Sequence, residues 1–394
     1  MKALEALLVL AVIPAAIACG YLALLAALSR RSREPPPVPA RIRFDVIVPA
    51  HDEEGGIAAT IRSLLAMEYP RELFRVVVVA DNCRDQTAAR AADAGAEVLV
   101  RNDEVLRGKG HALEFAFERT LAGTAGAAVV VDADSLVSPN LLSAFAARIG
   151  RGAHAVQADY GVRNPDASWR TRLMAIALAA FHVLRSLGRE RLGVSCGLRG
   201  NGMCFTREVL RAVPHRAFSI VEDLEYGIRL GEAGFAVRYA GEAHVYGEMV
   251  TTEKASRSQR KRWEGGRLQI ARAHGRRLLL EAVRRRDKVL LDLALDVLVP
   301  PLSWVAALVA AGTCLSALLA AKGSALPLAL WGACALALLL YVLRAWQLSG
   351  TGARGLLDLL FAPFYVGWKA SLLLRRAPRR SEEWIRTQRE RPGA

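Results

Sequence analysis

The run from Leu4 to Leu28 is apolar except at Glu5, Pro14 and Gly20, and Ser29-Arg30-Arg31 follows it at once. About 20 such residues cross the hydrocarbon of a bilayer as a helix, so the chain is a membrane candidate first. A cleaved signal peptide is the competing reading. It would have a shorter apolar core, a basic start and a small-residue cleavage site, whereas here Lys2 stands alone and the basic pair closes the run, as at a cytosolic face. Two more apolar segments, about Val297 to Ala321 and Leu326 to Leu343, are separated by Lys322-Gly323-Ser324 and predict a transmembrane hairpin. A third, Leu356 to Leu374, carries Asp358, Pro363 and Lys369; mid-span charges are costly, which favours an interfacial or re-entrant segment.

A net charge of +15 raises the question of nucleic acid, and the distribution of the charge answers it. Residues 29–43 hold five Arg and one Glu, residues 254–288 thirteen Lys or Arg and three acids, and residues 375–394 seven Arg and three acids. Those three stretches exceed the whole surplus and lie beside apolar segments, the pattern of a protein facing an anionic cytoplasmic leaflet. No nucleic-acid partner is expected. The six cysteines form no CxxC pair, and neither a disulfide framework nor a structural zinc site is suggested.

Beyond the Pro-rich linker, Arg43 to Pro49, Arg75 to Ala80, Glu97 to Val100 and Ala127 to Val131 read as buried strands. Helical stretches at Ile57 to Met67, Thr87 to Ala94 and about Gly110 to Thr120 alternate with them, which predicts a parallel sheet covered on both faces. Ligands of such sheets bind beyond the carboxyl ends of the strands, and acids cluster there: Asp52-Glu53-Glu54, Asp81 with Asp85, and Asp132-Ala133-Asp134. The alternation fades after Tyr160, where a helical stretch Trp169 to Leu187 and a Gly-rich loop Ser195 to Phe205 follow. Lys254 to Leu295 reads as basic amphipathic helices.

Asp132 and Asp134 can both reach one hard cation, Mg2+ or Mn2+, or serve only as a turn and helix cap. Asp81 and Asp85 suit a base or ribose, or again a capped turn. Lys109, between Gly108 and Gly110, can approach a phosphate at a helix start. Glu222-Asp223 opens a helical stretch, where either acid could be a general base or merely favour the helix dipole. Gln259-Arg-Lys-Arg-Trp263 combines cations with an aromatic plate, and equally fits an interfacial helix with a Trp anchor.

The order PAHDEE (Pro49 to Glu54), ADN (Ala80 to Asn82), DAD (Asp132 to Asp134), ED (Glu222, Asp223) and QRKRW (Gln259 to Trp263), followed by apolar helices, resembles the family-2 glycosyltransferases of the cellulose, chitin, hyaluronan and poly-N-acetylglucosamine synthase kind. The resemblance implies an A-type glycosyltransferase fold, α/β with a Rossmann-like mixed sheet, plus transmembrane helices. It implies that Glu53 and Asp81 contact the nucleoside, Lys109 and Arg262 the diphosphate, and Asp132 and Asp134 the nucleotide and its metal. Asp223 would be the base, Gln259 would help position the donor, and Trp263 would line the acceptor site. The first motif departs from the family in carrying Asp52 where Asn is usual, the second in carrying Asn82 beside Asp81.

The expected organisation is a transmembrane helix (1–29), a basic linker (30–43), a cytosolic transferase domain (44–250) and interfacial helices bearing QRKRW (251–295). A transmembrane hairpin (296–345) and an interfacial or re-entrant segment with a basic tail (346–394) complete it. The expected activity is metal-dependent, inverting transfer of a hexose or N-acetylhexosamine from a UDP-sugar to a polysaccharide or lipid-linked acceptor at the cell membrane. With so few spans, accessory export subunits enter as further partners. The alternative is a non-catalytic nucleotide-sugar-binding subunit.

Overall fold

The structure is a computed structural model that describes residues 2–31, 34–36, 38–39, 41–249 and 253–364, the side chains of 253–264 excepted. The four expected strands form as β1 (Phe44–Ala50), β2 (Phe74–Asp81), β3 (Glu97–Arg101) and β4 (Ala127–Val130). They pair in parallel in the order β3-β2-β1-β4. Period-2 alternation divides β1 between two cores. Val46 and Val48 pack with Ile57, Ile61 and Phe145 on one face, and Ile47 packs with Leu113, Phe117 and Tyr226 on the other.

Past β4 the sheet stops being parallel. Four more strands, β5 (Ser135–Val137), β6 (Ala155–Val162), β7 (Met203–Thr206) and β8 (Val237–Gly247), extend it in the order β4-β7-β6-β8-β5. β7 runs antiparallel to both β4 and β6, so the sheet is mixed. The short strands β5 and β7 lack the long β-branched run that made β1 and β2 legible, and their pairing is decided by the chain's return.

A third core is built from helices alone. Leu22 and Leu25 of helix Lys2–Leu28, Leu184, and Trp331 and Tyr341 of helix Leu326–Ser349 are buried together. Among the described residues, four helices are long and apolar enough to cross a membrane: Lys2–Leu28, Trp169–Leu192, Leu302–Ala320 and Leu326–Ser349. The second extends the helical stretch expected at Trp169 and has a π-helical segment, Ala179–Leu184, in its middle. It packs on Lys2–Leu28 so closely that a Cβ on Gly188 would lie 2.7 Å from the Leu25 carbonyl oxygen. The basic stretch forms helix Glu253–Arg285, followed by Lys288–Leu298. A short helix, Gly352–Asp358, and a 3-10 turn open the segment expected at Leu356 to Leu374; its residues beyond Phe364, and the basic tail, lie outside the described residues.

Candidate active site

The carboxyl end of β4 carries the DAD turn. Ser135 N donates to the Asp132 carbonyl (3.1 Å) and Thr60 Oγ1 to the Ala133 carbonyl (2.8 Å), which fixes both ends of the turn. The antiparallel register sets Val130 against Met203, so the chain preceding β7, the Gly-rich loop, must arrive beside Asp132. Asn201, fully buried there, accepts from Asp132 N (3.1 Å) and donates from Nδ2 to Ser135 Oγ (2.8 Å). Gln157 of β6, also fully buried, donates to the Asn201 carbonyl (2.7 Å) and accepts from Arg199 N (2.9 Å).

This bracing delivers one carbonyl to one lysine. Lys109 opens helix Lys109–Ala122, and its Nζ donates to Asp132 Oδ1 and to the Gly200 carbonyl, both at 2.6 Å, with Glu222 Oε1 at 3.5 Å. Gly200 has φ +79°, a conformation that favours glycine, and a Cβ built on it would stand 3.4 Å from Asp223 Oδ2. Lys109, Asp132, Gly200, Glu222 and Asp223 therefore form a single constellation, although Glu222 and Asp223 come from helix Glu222–Glu232.

Burial works against the charge of Lys109, but Asp132 and Glu222 outweigh it and hold the ammonium above its ordinary value. Burial pushes the Glu222 carboxyl up to about 7, with Lys109 opposing, and raises that of Asp223 as well. Raising a carboxyl by burial brings it closer to what a general base needs. Tyr160 lies here too, its phenol raised by burial and by Asp132, and its ring stacks on His182 at 5.1 Å.

The second centre is at the ends of β1 and β2. Asp81 Oδ1 takes Arg101 Nη1 at 2.6 Å, while its Oδ2 is buried without a hydrogen-bond partner among the described residues. Neighbouring acids are occupied by backbone: Asp52 accepts from Arg84 N (2.7 Å), and Asp85 from Thr87 N (2.9 Å) and Glu54 N (3.1 Å). For Asp52 and Asp85 the turn-capping role is thus the observed one. Their oxygens and Cys83 Sγ lie within 4.8 Å of one another, but amide contacts already explain that cluster. Glu53 sits in the same turn, its N–H donating to Thr87 Oγ1 (2.8 Å).

The DAD pair fits a divalent cation. Asp132, Glu222 and Asp223 act on a single ammonium, which itself stands on Asp132 Oδ1 where a cation is wanted. Gln259, Arg262 and Trp263 fall in helix Glu253–Arg285, but their side chains lie outside the described residues. Gln157, Tyr160 and Arg101 escape sequence reasoning; nothing in a strand marks one Gln as a brace. Only Asn201, set between Gly200 and Gly202, carried a signal.

A family model described as "Glycosyltransferase like family 2" matches residues 39–266. The chain is 30% identical over 230 residues to a beta-monoglucosyldiacylglycerol synthase of Trichormus variabilis, covering 56% of this chain and 48% of the relative. It is 24% identical over 235 residues to the probable glycosyltransferase YdaM of Bacillus subtilis, covering 57% and 55%. The chain thus spans about half the length of the curated relatives it matches. Among solved structures, the mannosyltransferase PcManGT of Pyrobaculum calidifontis, in complex with GDP-Man and Mn2+, aligns with a TM-score of 0.57 at 19% identity, covering 87% of this chain and 98% of that one. That likeness establishes the fold.

Proposed function

The chain belongs to the family-2 glycosyltransferases, and from that premise we propose that it moves a hexose or N-acetylhexosamine from a nucleotide diphosphate sugar, UDP-linked by preference, to a lipid-linked or polysaccharide hydroxyl at a membrane surface. The observation that carries this reading is the convergence of Lys109, Asp132 and Asp223 on the Gly200 loop.

Asp223 takes the acceptor proton as the hydroxyl oxygen attacks the anomeric carbon. The bond from that carbon to the diphosphate breaks, its electron pair stays on the diphosphate, and the anomeric configuration inverts. Lys109 meets the charge gathering on the leaving group, an electrostatic contribution placed before the reaction starts; Arg262 is assigned the same role. Asp132 and Asp134 would hold Mg2+ or Mn2+, which supplies Lewis-acid stabilisation of the diphosphate. Asp81, an acceptor-only carboxylate with one oxygen unused, suits the ring N–H of a uracil or guanine, and Glu53 borders the same crevice. Gln259 and Trp263 are assigned to donor positioning and to the acceptor site.

The membrane part of the proposal rests on the helices. Leu7, Leu10 and Ile17 face outward on Lys2–Leu28 and are more than half exposed, so that helix is apolar on its inner and outer sides alike, as lipid requires. The similarity to lipid-glucosylating relatives favours a lipid acceptor over a polymer.

Release of free nucleoside diphosphate by detergent-purified chain tests the reading, using a panel of UDP- and GDP-sugars with Mg2+ or Mn2+. Metal-dependent turnover in wild type, lost in Asp223→Asn and in Asp134→Asn, is expected. Tight donor binding without turnover, unchanged by Asp223→Asn, would point instead to a binding subunit.

A further inference from the structure

Behind the glycine loop, four arginines converge. Arg185 and Arg189 belong to helix Trp169–Leu192, Arg199 to the loop, and Arg267 to helix Glu253–Arg285. The first three are at most 6% exposed and the Arg267 side chain 13%. Two carboxylates answer them among the described residues. Asp296 Oδ1 takes Arg185 (2.9 Å), Arg189 (2.8 Å) and Arg267 (3.2 Å), while Asp292 Oδ2 lies 3.1 Å from Arg189 Nε.

Arg199 is left over. Among the described residues it is in ion-pair contact with neither acid, its Nη2 donates to the Cys196 carbonyl (3.0 Å), and its Nε is buried without an acceptor. A Cβ on Gly197 would lie 3.4 Å from Arg189 Nη1 and 3.6 Å from Arg199 Nη1, so two guanidinium groups flank Gly197. Three of the four, Arg185, Arg199 and Arg267, sit 4.5–5.0 Å from the centroid of the Phe181 ring. Cation–π attraction offsets only part of the desolvation of a guanidinium, and arginine does not shed its charge. Among the described residues the cluster therefore holds two more buried positive charges than the carboxylates paired with it, and Asp223, which Arg199 also feels, offsets at most one of them.

We propose that this cluster is a binding site for the phosphate headgroup of an anionic membrane lipid, separate from the donor site; the proposal rests on the membrane reading above. Guanidinium forks match phosphate oxygens in geometry and charge. The cluster lies toward one end of the apolar helices. Tyr21, which donates to Asp292, and Tyr341, which bonds to Arg185, stand about 10 Å inside the ends of their apolar helices at 1.5 Å per residue. Arg344 Nη2 bonds the Ser29 carbonyl (2.7 Å), so the two ends are level, at the side that bears Arg30 and Arg31. Arg199 directly precedes Gly200, whose carbonyl holds Lys109, so an occupied site steadies the catalytic loop from behind. Arg267, the most exposed of the four, marks the side of entry.

The test is the thermal unfolding midpoint of the detergent-purified full chain, with no donor present, titrated with short-chain phosphatidic acid, short-chain diacylglycerol or inorganic phosphate. Phosphatidic acid is expected to raise the wild-type midpoint saturably and diacylglycerol to leave it in place. Arg199→Gln should weaken that response about tenfold, the cost of one charge-assisted fork, while Arg62→Gln, which removes an exposed charge elsewhere, should not. If Arg199→Gln fails to fold, Arg199→Lys keeps the charge without the fork and should weaken the response in the same direction. No shift with phosphatidic acid, or an equal shift in the Arg199 variant, overturns the site; a response to inorganic phosphate that phosphatidic acid does not reproduce overturns the lipid. Nucleoside diphosphate release is measured separately, so failure of the transferase reading and failure of this one are distinguishable.

Discussion

Asn201 performs no chemistry, yet it joins the DAD turn to the glycine loop and so decides where the Gly200 carbonyl and Lys109 meet. Asn201→Ala should lower kcat by about tenfold to a hundredfold, the usual penalty for misplacing reacting groups, while donor affinity measured by equilibrium binding changes little. A parallel loss of affinity would show that Asn201 shapes the donor site instead. The acid pair makes a second prediction. Glu222 and Asp223 titrate above the ordinary carboxylate range because burial disfavours their charge. The base works deprotonated, so kcat should fall as pH drops through the Asp223 pKa, which burial raises above its ordinary value. Glu222→Gln removes a neighbouring negative charge and should move that limb to lower pH; a limb that stays put would mean Asp223 is not the titrating base. Asp132, Glu222 and Asp223 stood out in the sequence because chemistry restricts their type, and the structure gathers them at Lys109. Gln157 and Arg101 were not, because a buried brace is defined by what it touches.

Among the elements, helix Trp169–Leu192 bears most on how the molecule is held together. It meets helix Lys2–Leu28 backbone to backbone at Gly188, where small residues allow close approach. Gly188→Val should destabilise by about 1–3 kcal/mol, the range for overpacking a filled interface. Both its arginines reach Asp296 Oδ1 on helix Lys288–Leu298, and Arg189 meets Asp292 there as well. Asp296→Asn removes the charge three guanidinium groups share and should cost about 3–5 kcal/mol, as breaking a buried pair does. Thermal unfolding in detergent measures both, and a loss under about 1 kcal/mol for Asp296→Asn would contradict the shared-partner account. From sequence this element is a plain helical stretch. Its mean composition hides that the two arginines lie on the face turned to the acids.

At the scale of the molecule, the sheet-based transferase body and the apolar helices share side chains. Tyr21 of the first helix bonds both Arg189 (2.8 Å) and Asp292 (2.8 Å), and Leu22 and Leu25 are fully buried. A chain cut to begin at residue 39 should therefore aggregate in detergent, judged by size-exclusion chromatography, although the family match starts there. A monodisperse truncated chain that still binds donor would show the body to be independent.

What the sequence determined alone was local and chemical. Long β-branched runs specify β1 to β4 because such residues pack on both faces of a parallel sheet. Apolar runs specify helices because their backbone must be satisfied within the segment, and the spacing of the acids pointed to the family. The tertiary structure decided whatever depends on long-range return of the chain: the antiparallel entry of β7, which brings Asn201 to Asp132, the pairing of Arg101 with Asp81, and the gathering of four arginines behind Gly200. Each such contact joins residues whose separation along the chain carries no periodic signal, so only packing could place them together.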